Sequence, residues 1–339
     1  MNPITAMMKD RVNVQSKKKV DRTGNRLVSV VIPAYNEAEV LPEFHERISK
    51  VLNSMAMDAE ILYVNDGSTD DTLKIMHGLR QSDQRVSILD LSRNFGKEAA
   101  MTAGLDHASG DAVVLIDADL QHPPELIPEL VKHWIDGYDV VYTTNVDRSG
   151  ETIVKKFITH SFYRLMKMFG RVDIPMNAGD YRLLSRRAVD SLTQLREQHR
   201  YMKGLFAWIG YPQKDVPYQP DPRFAGNTKW GYLDLWYLAL EAITSFTVTP
   251  LKIATYLGLA SAFIAFIYGA ITVYQKLVYG NPVAGYPSLL VAVLFLGGIQ
   301  LLTIGIIGEY LGRIFNETKQ RPLYFLKGYE PSSSRKTQS

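Results

Sequence analysis

Apolar positions along this chain fall into two regimes. Up to about residue 144 they come in short runs, separated by polar turns and by segments with helical spacing; beyond about residue 250 they merge into two long stretches. In the first regime Leu27–Pro33, Ala59–Val64, Val86–Leu91, Ala112–Ile116 and Asp139–Thr144 read as strands. Runs this short and this rich in β-branched residues are the mark of buried strands. Between them, Glu37–Met55 has helical spacing, Thr69-Asp70-Asp71 caps a helix to about Leu79, and Lys97–Ala108 and Pro124–Asp136 are further helices. Strand and helix alternating in this order predict an α/β fold with a largely parallel sheet and helices on both faces.

The second regime is different in kind. Ile253–Gln275 and Leu277–Gly308 contain no charged residue. A helix that spans a bilayer needs about 20 apolar residues, and each stretch supplies them. Asn281-Pro282 and Gly285-Tyr286-Pro287 break the pattern, so the expected arrangement is a transmembrane hairpin of helices at about 251–275 and about 287–311. Two uninterrupted spans of this length argue against a hairpin buried in a soluble core. The loop carries only Lys276, whereas Lys252 precedes the first span and Arg313, Lys319, Arg321 and Lys327 follow the second. Positive charge of this distribution places both outer ends, and the sheet domain with them, in the cytoplasm. Glu309, near the end of the second span, is expected to pair with Arg313 one turn later.

Two segments before the hairpin have an interfacial pattern. In Thr152–Phe169, Val154, Phe157, Ile158, Phe162, Leu165 and Phe169 fall near one helical face, with Lys155, Lys156, Arg164 and Lys167 along its edge. That is the pattern of a helix lying in an anionic membrane surface. Tyr232–Phe246, with Trp236 and Tyr237, leads into the first span with the aromatic residues favoured at an interface. The expected division is a polar arm 1–26, a sheet domain 27–230, a juxtamembrane helix 231–250, the two spans, and a tail 312–339.

Composition narrows the classes. A chain of 339 residues accommodates one large domain and an appendage. With 38 Lys and Arg against 35 Asp and Glu, bulk charge gives no argument for nucleic acid. The absence of cysteine rules out disulfides and thiolate metal sites, and fits a reducing compartment. Met1–Arg26, with its Lys17-Lys18-Lys19 run, lacks the apolar core of a signal peptide and reads as a flexible or membrane-surface arm.

Candidate chemistry gathers where strands end. Pro33-Ala34-Tyr35-Asn36-Glu37 follows the first, Asn65-Asp66-Gly67-Ser68 the second, and Asp117-Ala118-Asp119 with Gln121 the fourth. In an open α/β sheet the carboxyl ends of the strands line the ligand crevice. Two carboxylates one residue apart, with an amide oxygen two further on, are hard oxygen ligands that suit Mg²⁺ or Mn²⁺ better than zinc. A metal held there neutralises a diphosphate as it leaves. No G-x-G-x-x-G is present at the first two strand ends, which counts against a dinucleotide site. Two other classes stay open. Asp66, Asp117 and Lys97 also mimic the acidic pocket of a receiver-like signalling domain, and a membrane scaffold would bind without turnover.

These motifs, together with Val30-Val31-Ile32 before the first, Ser92-Arg93-Asn94-Phe95-Gly96-Lys97, His122-Pro123-Pro124, Asn177-Ala178-Gly179-Asp180-Tyr181-Arg182-Leu183 and Arg223-Phe224-Ala225-Gly226-Asn227-Thr228-Lys229-Trp230, resemble the family 2 glycosyltransferases of GT-A fold. More narrowly they resemble the polyisoprenyl-phosphate glycosyltransferases, and among those the bacterial bactoprenol glucosyltransferases of O-antigen modification. The resemblance runs from about 27 to 327. It implies an inverting transfer from a nucleotide-sugar, UDP-glucose foremost, to undecaprenyl phosphate at the bacterial inner membrane, with Mg²⁺ or Mn²⁺. A donor of aminoarabinose, GlcNAc or mannose type is the alternative. Pro33, Tyr35, Glu37 and Asp66 would hold the nucleoside. Asp117, Ala118, Asp119 and Gln121 would meet the donor diphosphate, with Asp117, Asp119 and Gln121 on the metal. Arg182, Arg223 and Lys229 would contact donor and acceptor phosphates, and Asp180 would act as base or orient the acceptor and Arg182. Asn65 stands where many relatives have Asp, and Asn227-Thr228-Lys229 where many read Glu-Ser-Lys. Relatives of this kind are homo-oligomers, and Gly308 and Gly312, four apart on the second span, are a candidate contact.

Overall fold

The short apolar runs form strands as expected: β1 (Leu27–Ala34), β2 (Asp58–Asn65), β3 (Val86–Leu91), β4 (Ala112–Leu115) and β5 (Val140–Asn145). Helices α1 (Leu41–Ser54), α2 (Thr72–Ser82), α3 (Lys97–His107) and α4 (Ile127–Ile135) intervene. The computed structural model describes residues 26–146, 175, 178–219, 249–279 and 286–332. The candidate amphipathic helix 152–169, Arg223, Lys229, the segment 231–248, the loop 280–285 and the arm 1–25 lie outside those residues. α1 begins later than its spacing predicts, because Asn36 turns the chain in the left-handed region (φ 55) and Pro42 then opens the helix.

The remaining elements are β6 (Ala178–Ser185), α5 (Arg186–Leu192), α6 (Met202–Trp208), β7 (Gln213–Tyr218), α7 (Thr249–Tyr279), α8 (Tyr286–Thr318) and β8 (Leu326–Glu330). The eight strands form one sheet in the order β7-β5-β6-β4-β1-β2-β3-β8. β4, β1, β2 and β3 are mutually parallel, the part that alternation of strand and helix predicts. β5 and β7 are parallel to each other, but β6 runs antiparallel to β4 and β5, and β8 antiparallel to β3. Six of the eight described strands therefore run the same way, the largely parallel sheet expected, with only β6 and β8 reversed. Strand order reverses between β1 and β4, and such a reversal opens a crevice at the carboxyl ends.

Alternate residues of the central strands feed two cores. Val28, Val30 and Ile32 of β1 pack with Leu41, Phe44 and Ile48 of α1 and Trp134 of α4 on one face; Val31 packs with Ala100 and Ala103 of α3 and Phe206 of α6 on the other. α3 lies so close to β1 that a Cβ added at Gly104 would stand 2.1 Å from Val31 Cγ1. The small residues on α3 are thus a packing device that brings its N-terminus, Lys97, down onto the sheet edge.

α7 and α8 stand apart from both cores. Their spans Thr249–Gln275 and Val291–Thr318 have mean hydropathy 1.8 and 2.2, and they leave residues such as Phe266 (74 % exposed) and Leu301 (73 %) uncovered. Long apolar helices with this exposure need a lipid solvent, and the protein associates with a membrane. Arg313 Nε donates to Glu309 Oε1 at 3.1 Å, as the spacing predicts. The segment read as a tail is more structured than expected, since α8 extends to Thr318 and β8 then joins the sheet.

Candidate active site

The first two strand-end clusters are tied to each other. Asn36 Oδ1 accepts from the backbone N–H of Thr69 at 2.8 Å, its own N–H donates to Ser68 Oγ, and Glu37 N–H donates to Thr72 Oγ1. Asn tolerates the left-handed backbone this requires. Asn65 Oδ1 accepts from Ser68 N–H, and Asn65 Nδ2 donates to Asp90 Oδ1 at 2.7 Å. Gly67 (φ 67) is pressed against the backbone of Arg93, where a Cβ would lie 2.4 Å from its carbonyl carbon. Only glycine fits there.

Asp66 sits beneath the loop of residues 92–97. Its carboxylate accepts from Phe95 N–H at 2.7 Å and from Gly96 N–H at 3.0 Å. Burial raises its pKa, and the two N–H donors and Arg93 oppose that rise. The loop leads into α3, and Lys97 Nζ donates to Asp117 Oδ2 and to Asp180 Oδ2, each at 2.7 Å. Burial works against the charge on Lys97, but the two carboxylates outweigh it and hold its pKa above the ordinary lysine value. Asp180 is likewise penalised by burial, and Lys97, Lys203 and Arg182 reverse that and hold it well below the usual carboxylate range.

At the end of β4, Gln121 N–H donates to Asp119 Oδ1 at 3.1 Å across Leu120, which is buried with φ 59. A buried apolar side chain in the left-handed region is uncommon, and it aims the Asp-x-Asp carboxylates outward. His122 Nδ1 lies 3.4 Å from Asp119 Oδ1 and 3.9 Å from Asp117 Oδ2. Its ring is wedged against Tyr181 and Tyr218. One ligand atom each from Asp117, Asp119 and His122 lies within 4.8 Å of the others. The His122 nitrogen is buried with the Asp119 carboxylate as its near neighbour, so it is held at the acidic pair. Two hard oxygens suit Mg²⁺ or Mn²⁺, and the imidazole beside them is a donor that transition metals accept more readily than Mg²⁺ does. Burial opposes ionisation of Asp119, but His122, the Gln121 N–H and Lys97 keep its pKa below the ordinary value.

These groups open onto one cleft of about 390 Å³, lined by Pro33, Tyr35, Glu37, Asp66, Lys97 and the Asp117–Asp119 turn among others. Tyr35 leaves 44 % of its surface exposed there. The cleft thus gathers Pro33, Tyr35, Glu37, Asp66, Asp117, Ala118 and Asp119 of the expected set. Asp180 joins them through Lys97. Arg182 is buried instead, with its guanidinium 3.7 Å over the Phe206 ring and donating to Gly179 O at 2.6 Å. Burial lowers its pKa to about 10 against the pull of Asp180 and Glu98. Gln121 contributes its backbone N–H, and Arg223 and Lys229 lie outside the described residues.

Three groups escaped the sequence reading. Lys97 was grouped with Asp66 and Asp117 only as a receiver-like pocket, and its bridge to Asp180 was not foreseen, because that partner is far along the chain. His122 follows the acidic motif directly and could have been counted among its ligands. Glu98 has burial as its only signature: its pKa is pushed up to about 7, first by desolvation and then by Asp180, against Lys97 and Lys203.

Comparison with known proteins gives the family. Residues 29–193 match the model for glycosyl transferase family 2, and residues 249–314 match the GtrB C-terminal hairpin. The chain is 49 % identical to an uncharacterized glycosyltransferase of Synechocystis, over 88 % of this chain and 94 % of that one. It is 46 % identical to the bactoprenol glucosyl transferase of Shigella phage SfV, over 88 % of this chain and 98 % of that one. A solved structure, glucosyl-3-phosphoglycerate synthase from Mycobacterium tuberculosis, is a more distant likeness: 21 % identity, 65 % of this chain and 78 % of that chain, TM-score 0.45.

Proposed function

Because the chain belongs to glycosyl transferase family 2, we propose that its cleft moves glucose from UDP-glucose to undecaprenyl phosphate at a membrane surface. The protein is a glycosyltransferase with a membrane hairpin. The observation that carries the reading is that the sheet bearing this acidic cleft also takes in the strand that follows two long, exposed apolar helices. β3 of the cleft side pairs directly with β8, the strand that follows the second membrane helix. A water-soluble acceptor would give no reason for that union.

Pro33, Tyr35, Glu37 and Asp66 hold the nucleoside in this account. Asp117, Asp119 and His122, with Gln121 beside them, would hold Mg²⁺ or Mn²⁺, which when bound supplies positive charge against the departing diphosphate. Lys97 stands between Asp117 and Asp180 and brings a fixed positive charge to the place where diphosphate and acceptor phosphate meet. A carboxylate held as far down as Asp180 is a weak base. A phosphate acceptor is itself anionic near neutral pH and needs little deprotonation, so Asp180 orients Lys97 and the acceptor. Attack by the acceptor phosphate on the anomeric carbon, opposite the leaving diphosphate, inverts that carbon. Arg182 acts from beneath through its charge, and Arg223 and Lys229 contact the phosphates.

The same reading places the catalytic domain and both chain ends in the cytoplasm, supported by the flanking Lys and Arg. The return of β8 to the sheet supports a hairpin, since the chain leaves and re-enters on one side. The reading also takes the protein to be a homo-oligomer, as the resemblance implies. Among the described residues a Cβ added at Gly297, Gly298, Gly305, Gly308 or Gly312 meets nothing within 4 Å, which leaves room there for a second copy. The test of function is a panel of nucleotide-sugars offered to the purified protein with undecaprenyl phosphate, followed as sugar in the lipid fraction. UDP-glucose should give the highest kcat/KM; preference for another donor by tenfold or more (roughly 1.4 kcal/mol) would replace the donor assignment.

A further inference from the structure

The segment that follows α8 touches the donor side of the cleft at two points. β8 pairs with β3 through Leu326, Gly328, Tyr329 and Glu330. It is anchored at its far end, where Arg80 donates to Pro331 O at 2.9 Å and Ser332 N–H to Ser87 Oγ at 2.9 Å. At its near end Tyr324 OH donates to Asp106 on α3 at 2.9 Å. Between these anchors, Phe325 O accepts from Ser92 N–H at 2.9 Å, and the Phe325 ring lies 6.4 Å from the Phe95 ring at a tilt. Ser92 and Phe95 belong to the loop whose N–H groups hold Asp66 and which ends at Lys97. The second point is Lys327, whose Nζ is 3.6 Å from Asp90 Oδ2. Asp90 in turn holds Asn65, and Asn65 holds the turn at Ser68.

Phe325 is 55 % exposed, so burial alone gives little reason for a phenyl ring there. Its contacts converge on one loop, and that loop supplies two hydrogen bonds and one cation to the cleft. We propose that Phe325 is a positioning residue for donor binding: through its carbonyl and its ring it fixes the loop of residues 92–97, and so links the end of the second membrane helix to the donor site. The proposal rests on the reading of the cleft as the donor site. Misplacing catalytic groups by about 1 Å costs on the order of 100-fold, whereas a loosened loop that still samples its bound position costs less.

The test uses the full-length protein in detergent or nanodiscs. Phe325→Ala should raise the donor KM about tenfold and weaken UDP binding measured calorimetrically to the same extent. The undecaprenyl phosphate KM should stay unchanged, and Phe325→Tyr should restore the donor KM. In a double-mutant cycle with Phe95→Ala, the two effects should be non-additive. Wild-type donor KM and UDP affinity in Phe325→Ala would overturn the proposal. So would equal rises in both KM values, or full additivity with Phe95→Ala, since either marks a merely structural ring. If Phe325→Ala does not fold, Phe325→Leu, which keeps bulk in place of the ring, decides the matter by the same readings. Failure of the wild type to transfer any sugar would strike the functional reading, while UDP binding would still test Phe325.

Discussion

Lys97 joins what the sequence keeps apart: residues 97, 117 and 180 meet in one ion-paired group. Its removal leaves Asp117 and Asp180 facing each other without the shared cation. Lys97→Ala should therefore reduce kcat by about 100-fold or more, the scale for loss of a preorganised charge, with the circular dichroism spectrum and membrane insertion retained. Asp119→Ala should abolish transfer in the same way, and EDTA should do so in the wild type; full activity in EDTA would contradict a metal role for the Asp117, Asp119 and His122 cluster. Glu98 sets the behaviour near neutrality. Burial raises its folded pKa to about 7, above the ordinary glutamate value of 4.5, so its contribution favours the fold while it is protonated and is lost as pH rises from 4.5 through 7. Glu98→Gln should flatten the fall in Tm over that interval, and an unchanged pH profile of Tm would refute the assignment. At this scale the acidic motif was legible because it stands third in a series of polar clusters at successive strand ends, whereas Asp-x-Asp alone is also an ordinary turn. The bridge from Lys97 to Asp180 and the burial of Arg182 were not, because both depend on what the fold brings to β6.

Elements were legible in proportion to how strongly burial shaped their residues. β1 to β4 are covered on both faces, so their runs are apolar and their ends stand out as polar breaks. β8 is an exposed edge strand of Leu326-Lys327-Gly328-Tyr329-Glu330, with no apolar run to announce it. β6 was not read as a strand at all, since Asp180 and Arg182 interrupt its apolar run, and its antiparallel course leaves no mark on its own residues. α3 was predicted as a helix, but the purpose of its small face emerges only from its 2.1 Å approach at Gly104. Gly104→Ala should push α3 away from Val31, costing about 1–3 kcal/mol of stability as read by denaturant unfolding. It should also lower kcat, because Lys97 rides on the same helix. A variant with reduced stability but unaltered kcat would show that α3 does not set the position of Lys97.

At the scale of the whole molecule, the hydropathy pattern displayed the division into sheet domain and membrane hairpin, but not the strand that ties them. A reporter fused before Leu27 and another after Lys327 should both read cytoplasm, with one inserted near Asn281 on the far side; an odd number of crossings between the termini would contradict the hairpin. Gly308→Leu with Gly312→Leu should shift the detergent-solubilised protein toward monomer while UDP binding persists, and a wild type already monomeric in mild detergents and in native membranes would remove the oligomer from the account. The central claim is that this cleft joins a sugar to a lipid phosphate. Its most direct test is to incubate the purified full-length protein with Mg²⁺ or Mn²⁺, labelled UDP-glucose and undecaprenyl phosphate, and to measure the mass of the labelled lipid. The account predicts undecaprenyl phosphate plus one hexose, formed by the wild type and not by Asp119→Ala. Label transferred to a water-soluble acceptor while undecaprenyl phosphate stays unmodified would contradict it.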